Sequence, residues 1–320
     1  MRRGRGRLSI VTFHRVLAES DRQNYPFPGL AVTPEELDDF LAYFTRHFDC
    51  GTLANQYERY QRGERTAHPL LAITFDDAQY DNYSNARPVL ARHKVKASFF
   101  APVVAVERQE LLWHDRLGFA ALALLKQGDD GRAQLMRLAE EAGLSVNGAS
   151  NLASAIVSAS KALTLEARLA LVASLVEASG AVQTPDFARL MTFAELALLA
   201  AEGHEIGSHS MTHCMMTECT DGALDYEVAE SRRVLQRRLG QAVATFCYPN
   251  GNADARSAQA VARAGYLRAV TTSWGNNGLE ADRFQLRRYD MVAKRVQDTS
   301  GTFVPALLAF RMSGYYPGLS

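Results

Sequence analysis

Two adjacent carboxylates, Asp76 and Asp77, directly follow a short apolar segment, Leu70–Phe75. This segment is typical of a strand buried on both faces, because it is almost entirely apolar and contains bulky and β-branched residues. Unpaired carboxylates are costly to bury, so we expect the pair at the end of the strand, at the mouth of whatever the sheet encloses. A simple turn or helix cap built on these aspartates is the alternative.

Two histidines, His209 and His213, lie four residues apart far downstream. On a helix or helical turn this spacing places both imidazoles on one face. Two imidazoles and one carboxylate form a common open metal site, with positions left for water and substrate. For the pair taken alone, a solvated loop is the alternative. The same donors suit non-haem iron, so a metal-dependent hydrolase and an iron oxygenase both stay open.

The two segments together resemble the first two motifs of the polysaccharide deacetylases, the NodB-homology or carbohydrate esterase family 4 group. The matching residues are 74–77 (TFDD) and 203–213 (GHEIGSHSMTH), and residues 246–251 (FCYPNG) resemble the third motif. The resemblance extends over about residues 8–106 and 190–292.

This resemblance implies a metal-dependent hydrolase that removes N-acetyl groups from amino sugars of a polysaccharide or glycan precursor. Asp77, His209 and His213 would hold a divalent metal ion, expected to be zinc, with cobalt, nickel or iron as alternatives. Asp76 would be the general base that takes a proton from the attacking water. A bound divalent metal makes water more acidic and polarises the carbonyl group.

The amine leaving group also needs a proton donor. Many relatives use a histidine in a Leu-x-His motif near the C-terminus, but none of the eight histidines of this chain follows His213. The best substitute is His14, at the end of the first predicted strand, where some exopolysaccharide de-N-acetylases carry a comparable histidine. A structural or substrate-contacting role is the alternative for His14.

A second departure from the family pattern lies in the third motif. Relatives usually carry an arginine that orients the base two residues before the motif's proline, and this chain has Cys247 there. Arg287 or Arg288 could substitute for it. The missing arginine and C-terminal histidine together motivate a second hypothesis, a catalytically impaired relative that binds a glycan or a partner.

Three further residues are candidates for substrate binding. Tyr248 could present its backbone amide to the developing oxyanion, and Pro249 belongs to the same motif. Trp274 could stack on a sugar ring, with core packing as the alternative. We expect a structural role for His204. Cys214, although next to His213, is not expected to bind the metal.

Strands and helices alternate along most of the chain, which argues for a parallel sheet. Strands are predicted at 8–13, 70–75, 97–103, 205–207, 244–248, 268–272 and 284–289. This periodicity fits a barrel-like α/β fold but does not exclude an open doubly wound sheet. The family resemblance implies a distorted (β/α)7 barrel. In either fold, sites gather at the carboxyl ends of strands, where the candidate residues fall.

Residues 107–190 interrupt this alternation. They are rich in Ala and Leu, contain helical segments at 117–127, 133–142 and 165–179, and have no strand-like run. We therefore predict an inserted helical subdomain here, with a NodB-like barrel formed by residues 1–106 and 191–320.

Charge and composition narrow the range of partners. Lys plus Arg and Asp plus Glu both number 35, so the formal net charge is zero and no nucleic acid or other polyanion is predicted as a partner. The carbohydrate substrate is what the family resemblance implies. The apolar segment at 8–13 is too short for a signal peptide or a transmembrane helix, so we expect a cytoplasmic protein. The four cysteines form no CxxC pair, which fits reduced thiols.

Overall fold

The structure, a computed structural model, describes residues 7–146, 148–180 and 184–313. Within these residues the strands are β1 Leu8–Phe13, β2 Arg15–Val16, β3 Ala31–Val32, β4 Asp49–Gly51, β5 Leu70–Phe75, β6 Ser98–Ala101, β7 Glu205–Ser208, β8 Thr245–Cys247, β9 Arg268–Trp274 and β10 Leu286–Asp290.

The helices of the described residues are α1 Glu19–Gln23, α2 Pro34–His47, α3 Leu53–Gln61, α4 Arg87–Arg92, α5 Val103–Arg108, α6 Trp113–Leu125, α7 Asp129–Glu141, α8 Leu152–Ser160, α9 Leu165–Ser179, α10 Phe193–Ala201, α11 Asp221–Asp225, α12 Ser231–Leu239, α13 Ala255–Arg263 and α14 Pro305–Arg311. A π-helical turn, Tyr226–Glu230, joins α11 to α12.

The main sheet is a closed, all-parallel barrel. Its order is β1-β10-β9-β8-β7-β6-β5, and β1 pairs with β5 along its whole length to close the ring. The other edge of β5 is shared, because β4 pairs with its first half and β6 with its last two residues. The predicted (β/α)7 barrel is therefore confirmed.

Side chains alternate between the inside of the barrel and the helical layer outside it. Odd-numbered residues of β5, such as Leu71 and Phe75, belong to the large core cluster under the helices, while Leu70 and Ala72 belong to a smaller cluster with residues of the other strands. The same alternation continues past the end of the strand, so Asp76 falls on the inner side.

Local sequence signals fix several of the surrounding helices. Thr33 and Glu36 form the predicted capping box of α2, and Thr192 and Glu195 form that of α10. The predicted strands are all present, with ends that shift by a few residues. The short strand β4 and the helix α3 were not predicted.

The described chain separates into two compact units. One contains the barrel and comprises 1–19, 29–109 and 190–320; the other contains α6 to α9 and comprises 20–28 and 110–189. The predicted insert, 107–190, did not include the segment Ser20–Pro28. Within the second unit this segment is tied to α6, because the Tyr25 hydroxyl hydrogen bonds to the fully buried Asp115 carboxylate at 3.0 Å.

A buried arginine organises the helical unit. Arg168 of α9 is 1% exposed, and its guanidinium donates to the carbonyl oxygens of Ser160 and Leu163 at 3.0 and 2.8 Å. The Ser160 carbonyl also accepts the Leu163 amide at 3.1 Å, so Arg168 supports the turn that joins α8 to α9. None of the helices in the described part of the chain has the length and apolar character needed to cross a membrane.

His204 has the structural role that its sequence position predicts. Its Nδ1 accepts a hydrogen bond from the Ala97 amide at 3.1 Å, and its ring packs edge-on against Phe99. Burial, helped by the nearby Lys96, lowers the pKa of His204 to about 4. The folded protein therefore holds this imidazole neutral.

We expect this neutral histidine to make the fold acid-sensitive. His204 takes up its proton near pH 6.5 in the unfolded chain but only near pH 4 in the folded chain. The free energy of unfolding is therefore unaffected by this histidine above pH 6.5 and falls as the pH drops toward 4. By pH 4.5 the loss amounts to about 2 kcal/mol. His204→Asn, which keeps an acceptor at the Nδ1 position, should remove this part of the pH dependence of the unfolding free energy. His68→Asn, at an exposed histidine, should leave it unchanged.

Candidate active site

The two aspartates diverge because the backbone turns sharply after β5. The Asp76 amide still donates to the Phe13 carbonyl of β1 at 3.0 Å, which continues the barrel ladder. The next two residues, Asp77 and Ala78, have left-handed φ values of 72° and 50°. Aspartate tolerates this region better than most residues do. The turn allows adjacent carboxylates to face different groups.

Asp77 meets the two histidines. Its Oδ1 atom lies 3.3 Å from Nε2 of His209 and 3.2 Å from Nε2 of His213. The three donor atoms lie within 4.8 Å of one another, and all three residues are buried. The carboxylate and the two imidazoles that the sequence separates by more than a hundred residues therefore converge on one point.

The histidine pair is not on a helix, so the predicted reason for its convergence was wrong. Residues 209–213 form a bend between β7 and the next turn, and both Ser210 and His213 have left-handed φ, 67° and 60°. The His213 amide donates to the Ser210 hydroxyl at 2.9 Å, which closes the bend. The two imidazole rings face each other edge-on with centroids 4.8 Å apart.

A buried carboxylate outside the motifs fixes this bend. Glu227, on the π-helical turn, is 5% exposed and accepts the backbone amides of Met211 and Thr212, both at 2.9 Å. Its second oxygen accepts the Thr212 hydroxyl at 2.6 Å. Charge-assisted hydrogen bonds of this kind are stronger than neutral ones. Glu227 therefore holds the backbone between the two histidines.

A backbone carbonyl orients His209. Nδ1 of His209 lies 2.8 Å from the carbonyl oxygen of Cys247. Because a carbonyl oxygen can only accept a hydrogen bond, this nitrogen carries a proton, and the other ring nitrogen, Nε2, faces Asp77. Burial lowers the pKa of His209, but the surrounding negative charge outweighs it and the net shift is upward. We assign this charge to Asp77 and Asp76, because burial raises the pKa of Cys247 and keeps it a neutral thiol.

Arg288 of β10 holds Asp76. Its Nη1 and Nη2 donate to Oδ1 and Oδ2 of Asp76, each at 2.7 Å, in a bidentate pair, and Arg288 is 1% and Asp76 2% exposed. Burial alone raises the pKa of Asp76, but the charge and hydrogen bonds of Arg288 outweigh it and lower that pKa below the ordinary value. The carboxylate is therefore ionised and aligned.

The remaining donors of Arg288 are also satisfied. They reach the Thr271 carbonyl at 2.7 Å and the hydroxyls of Thr12 and Thr74 at 3.0 and 3.2 Å. Nη2 also lies 3.3 Å from the sulfur of Cys247. Cys247, at the third-motif position, therefore contacts a guanidinium that comes from β10. Arg287, the other predicted substitute, is exposed.

A second set of possible ligands, Asp76, His209 and Cys247, also lies close together. The Arg288 guanidinium already pairs with that carboxylate and contacts that sulfur. A cation placed there would be repelled by this charge, so Asp77, His209 and His213 form the better cation site.

His14 lies close to Asp76. Its Nε2 is 3.9 Å from Asp76 Oδ2, and its side chain is 21% exposed, which leaves it accessible from solvent. Its backbone is held by the segment after β5, because the Asn82 amide group donates to the His14 carbonyl at 2.9 Å. The buried Asp81 carboxylate accepts the Arg15 guanidinium and the Val16 amide, both at 2.6 Å.

The prediction for Tyr248 and Pro249 needs correction. The Tyr248 amide donates to the Val270 carbonyl at 3.1 Å as part of the barrel ladder, so it is not directed at an oxyanion. The Tyr248 ring packs against Phe246 in the core, and both Tyr248 and Pro249 are buried. The exposed residue of this motif is Asn250, in a left-handed turn with φ 56°.

Trp274 lies at the end of β9, beside Arg288 in register. Its ring packs edge-on against Tyr289 at 4.9 Å, and the Arg311 guanidinium covers it at 4.8 Å. These contacts favour core packing, the alternative considered for this residue, over stacking on a sugar.

The sequence matches an established family model. The model for polysaccharide deacetylases matches residues 63–269, a segment that includes both aspartates and both histidines of the site. The chain belongs to the polysaccharide deacetylase family. It is accordingly a hydrolase of the deacetylase class, as the resemblance implied, and the iron-oxygenase hypothesis is wrong.

Solved structures of deacetylases have the same fold. The Streptococcus pyogenes deacetylase PplD, in complex with acetate, superposes with a TM-score of 0.63 at 16% identity, over 96% of this chain and 98% of that one. IcaB from Ammonifex degensii gives 0.55 at 15% identity, over 90% and 93%. The BpsB deacetylase domain from Bordetella bronchiseptica gives 0.54 at 15% identity, over 89% and 96%. The comparison with curated proteins finds no significant match.

Sequence reasoning missed Glu227, which holds the histidine bend. Glu227 lies in a charged helical segment where a buried acid looks like any surface residue.

Proposed function

We propose that this protein is a metal-dependent deacetylase that hydrolyses N-acetyl groups on amino sugars of a polysaccharide or glycan precursor. The observation that carries this proposal is the convergence of Asp77, His209 and His213 beside a second, arginine-paired carboxylate, Asp76. The family assignment supports glycan deacetylation as the reaction.

The donor set fits a divalent transition metal. Two imidazole nitrogens and one carboxylate oxygen are preferred ligands of zinc, and also of cobalt, nickel and iron. We assign Asp77, His209 and His213 as the ligands. A divalent metal, when bound, supplies Lewis acidity that activates water and polarises the acetyl carbonyl.

The chain's own residues handle the protons. Asp76, held ionised by Arg288, accepts a proton from the attacking water, and the guanidinium keeps the carboxylate aligned while it does so. His14, a partly exposed histidine 3.9 Å from Asp76, donates a proton to the departing amine. His14, directly after β1, thus takes the role of the histidine that many relatives carry near the C-terminus.

The hypothesis of an impaired, glycan-binding relative loses part of its motivation. It depended on the arginine missing from the third motif, and Arg288 supplies a guanidinium to the carboxylate from a different strand. Catalytic competence is therefore the better proposal.

The first test is metal removal and return. We expect the purified protein to release acetate from N-acetylated chito-oligosaccharides or acetylated β-1,6-linked glucosamine oligomers. Dialysis against a chelator should abolish release, and zinc or cobalt should restore it, because three side chains among the described residues form the proposed metal site. The control is His93→Gln, a histidine outside the site, which should behave as wild type. Acetate release that persists at full rate without metal would contradict the proposal.

Glu227 provides a second test. Glu227→Leu removes all three hydrogen bonds that hold the histidine bend, so we expect metal affinity to fall by about 10- to 100-fold, as for other supporting partners of metal ligands. Glu227→Gln should lose less, because it keeps an acceptor for the backbone amides. The matched control is Glu230→Gln on the same turn. Competitive titration with a zinc-binding dye measures the affinities. Equal metal affinity in Glu227→Leu and Glu230→Gln would show that the histidine bend keeps its conformation without Glu227.

A further inference from the structure

Two cysteines lie together on the loop that follows His213. The sulfurs of Cys214 and Cys219 are 2.7 Å apart, and both residues are half-buried thiols. Of the other two cysteines, Cys247 is buried beside Arg288, and the sulfur of Cys50 faces a backbone carbonyl. The pair is therefore the place where this chain can form a disulfide bond.

The backbone of the loop keeps the two sulfurs close. A short helical turn, Met216–Glu218, reverses the chain, and the Cys219 amide donates to the Met216 carbonyl at 3.3 Å. Met215 and Met216 are 4% and 0% exposed, so they anchor the turn in the core. Bringing the sulfurs from contact to the bonded length of about 2.05 Å needs a movement of less than an ångström.

We propose that Cys214 and Cys219 form a redox-sensitive dithiol, which low-molecular-weight disulfides such as oxidised glutathione convert to an internal disulfide. The thiolate of one cysteine attacks the small disulfide and releases one small thiol. The sulfur of the other cysteine then displaces the second small thiol and forms the internal S–S bond. Two electrons pass to the small disulfide, and the two cysteine protons leave with the two released thiols.

The disulfide would act on the metal site through one peptide bond. Cys214 follows His213 directly, and Glu227 already holds the bend on the other side of that histidine. Closing the ring from 214 to 219 restricts the backbone torsions directly after His213, and so limits the movement of that histidine. We infer that the oxidised protein releases its metal more slowly; this step depends on the proposed function.

The disulfide is tested on metal-free protein, so that it does not depend on activity. The protein is incubated with oxidised glutathione, and its thiols are counted in denaturant, with intact mass and a non-reducing gel alongside. We expect four thiols to fall to two, the mass to fall by two hydrogens, and the protein to stay monomeric on the gel. The control variant Cys50→Ser should fall from three thiols to one, and Cys214→Ser should form no internal disulfide.

Several results would overturn the disulfide. They are four thiols retained after oxidation, loss of thiols only through stable glutathione adducts or between chains, and an internal disulfide that still forms in Cys214→Ser.

The link to the metal is tested by release kinetics. Cobalt-loaded protein is mixed with excess chelator, and the loss of the cobalt absorption band is followed. We expect slower release from the oxidised protein, and equal rates for Cys214→Ser with and without oxidant. An internal disulfide with unchanged release would overturn the link. Failure to bind cobalt at all would contradict the proposed function, and the thiol count would still decide the disulfide.

Discussion

Replacing Asp76 with asparagine should reduce kcat for acetate release by about 10²- to 10⁴-fold, the usual loss when a general base is removed. The amide cannot take a proton from water, while Asp77, His209 and His213 stay in place to hold the metal. Metal content should therefore be unchanged. We measure kcat by acetate release and metal content by elemental analysis of the dialysed variant.

Asp76→Asn should also lower the stability of the fold, and a double variant separates this effect from the loss of catalysis. Asp76→Asn leaves the buried Arg288 guanidinium without its anion, and breaking a buried pair from one side costs about 3 kcal/mol or more. The double variant Asp76→Asn/Arg288→Met removes both charges and should recover much of that loss. It should remain inactive. A stable double variant with wild-type kcat would exclude Asp76 as the base.

Replacing Arg288 with methionine should destabilise the fold by about 3 kcal/mol or more, because it leaves the buried Asp76 carboxylate unpaired. Activity should also fall, since burial would then favour the protonated form of Asp76, which cannot act as a base. Arg288→Lys keeps the positive charge but loses the bidentate geometry, so it should be intermediate in both respects. Chemical denaturation and kcat are the two measurements.

The neighbouring arginine is a matched control for this experiment. Arg287 lies on the same strand but is exposed, so Arg287→Met should change the unfolding free energy by no more than about 0.5 kcal/mol. If Arg287→Met and Arg288→Met had equal effects on stability and kcat, the assignment of Arg288 as the partner of Asp76 would be wrong.

The strands were predictable because they carry strong local signals. Leu70–Phe75 is apolar except for Thr74, and capping boxes mark the starts of α2 and α10. The closure of the sheet came from the family resemblance instead, because the pairing of β1 with β5 and β10 is a long-range property that periodicity does not encode. The short β4 carries no such pattern.

The site was predictable to the extent that residue type fixes chemistry. Asp76, Asp77, His209 and His213 were identified from their spacing and resemblance, and the structure brings them together. The sequence analysis left both Arg287 and Arg288 as candidates, although the alternation of side chains along β10 distinguishes them. Leu286 faces the barrel interior, so Arg288 also does, and Arg287 does not.

Other features could not be read from the sequence, for identifiable reasons. The histidine bend depends on left-handed residues and on Glu227, which is distant in sequence from the first histidine. The amide of Tyr248 is used by the ladder to β9, and a hydrogen bond between two strands cannot be inferred from either one. These features depend on contacts between separate segments, which local sequence patterns do not predict.

The closure of the barrel through β1 limits how far this chain can be truncated for expression. The family match spans residues 63–269 and so omits β1 and β10. A fragment cut to those limits would lose His14, Arg288 and all but two residues of β9, and would leave β5 and β8 as unpaired sheet edges that favour aggregation. Expression boundaries for the catalytic module must therefore begin before Leu8 and extend beyond Asp290.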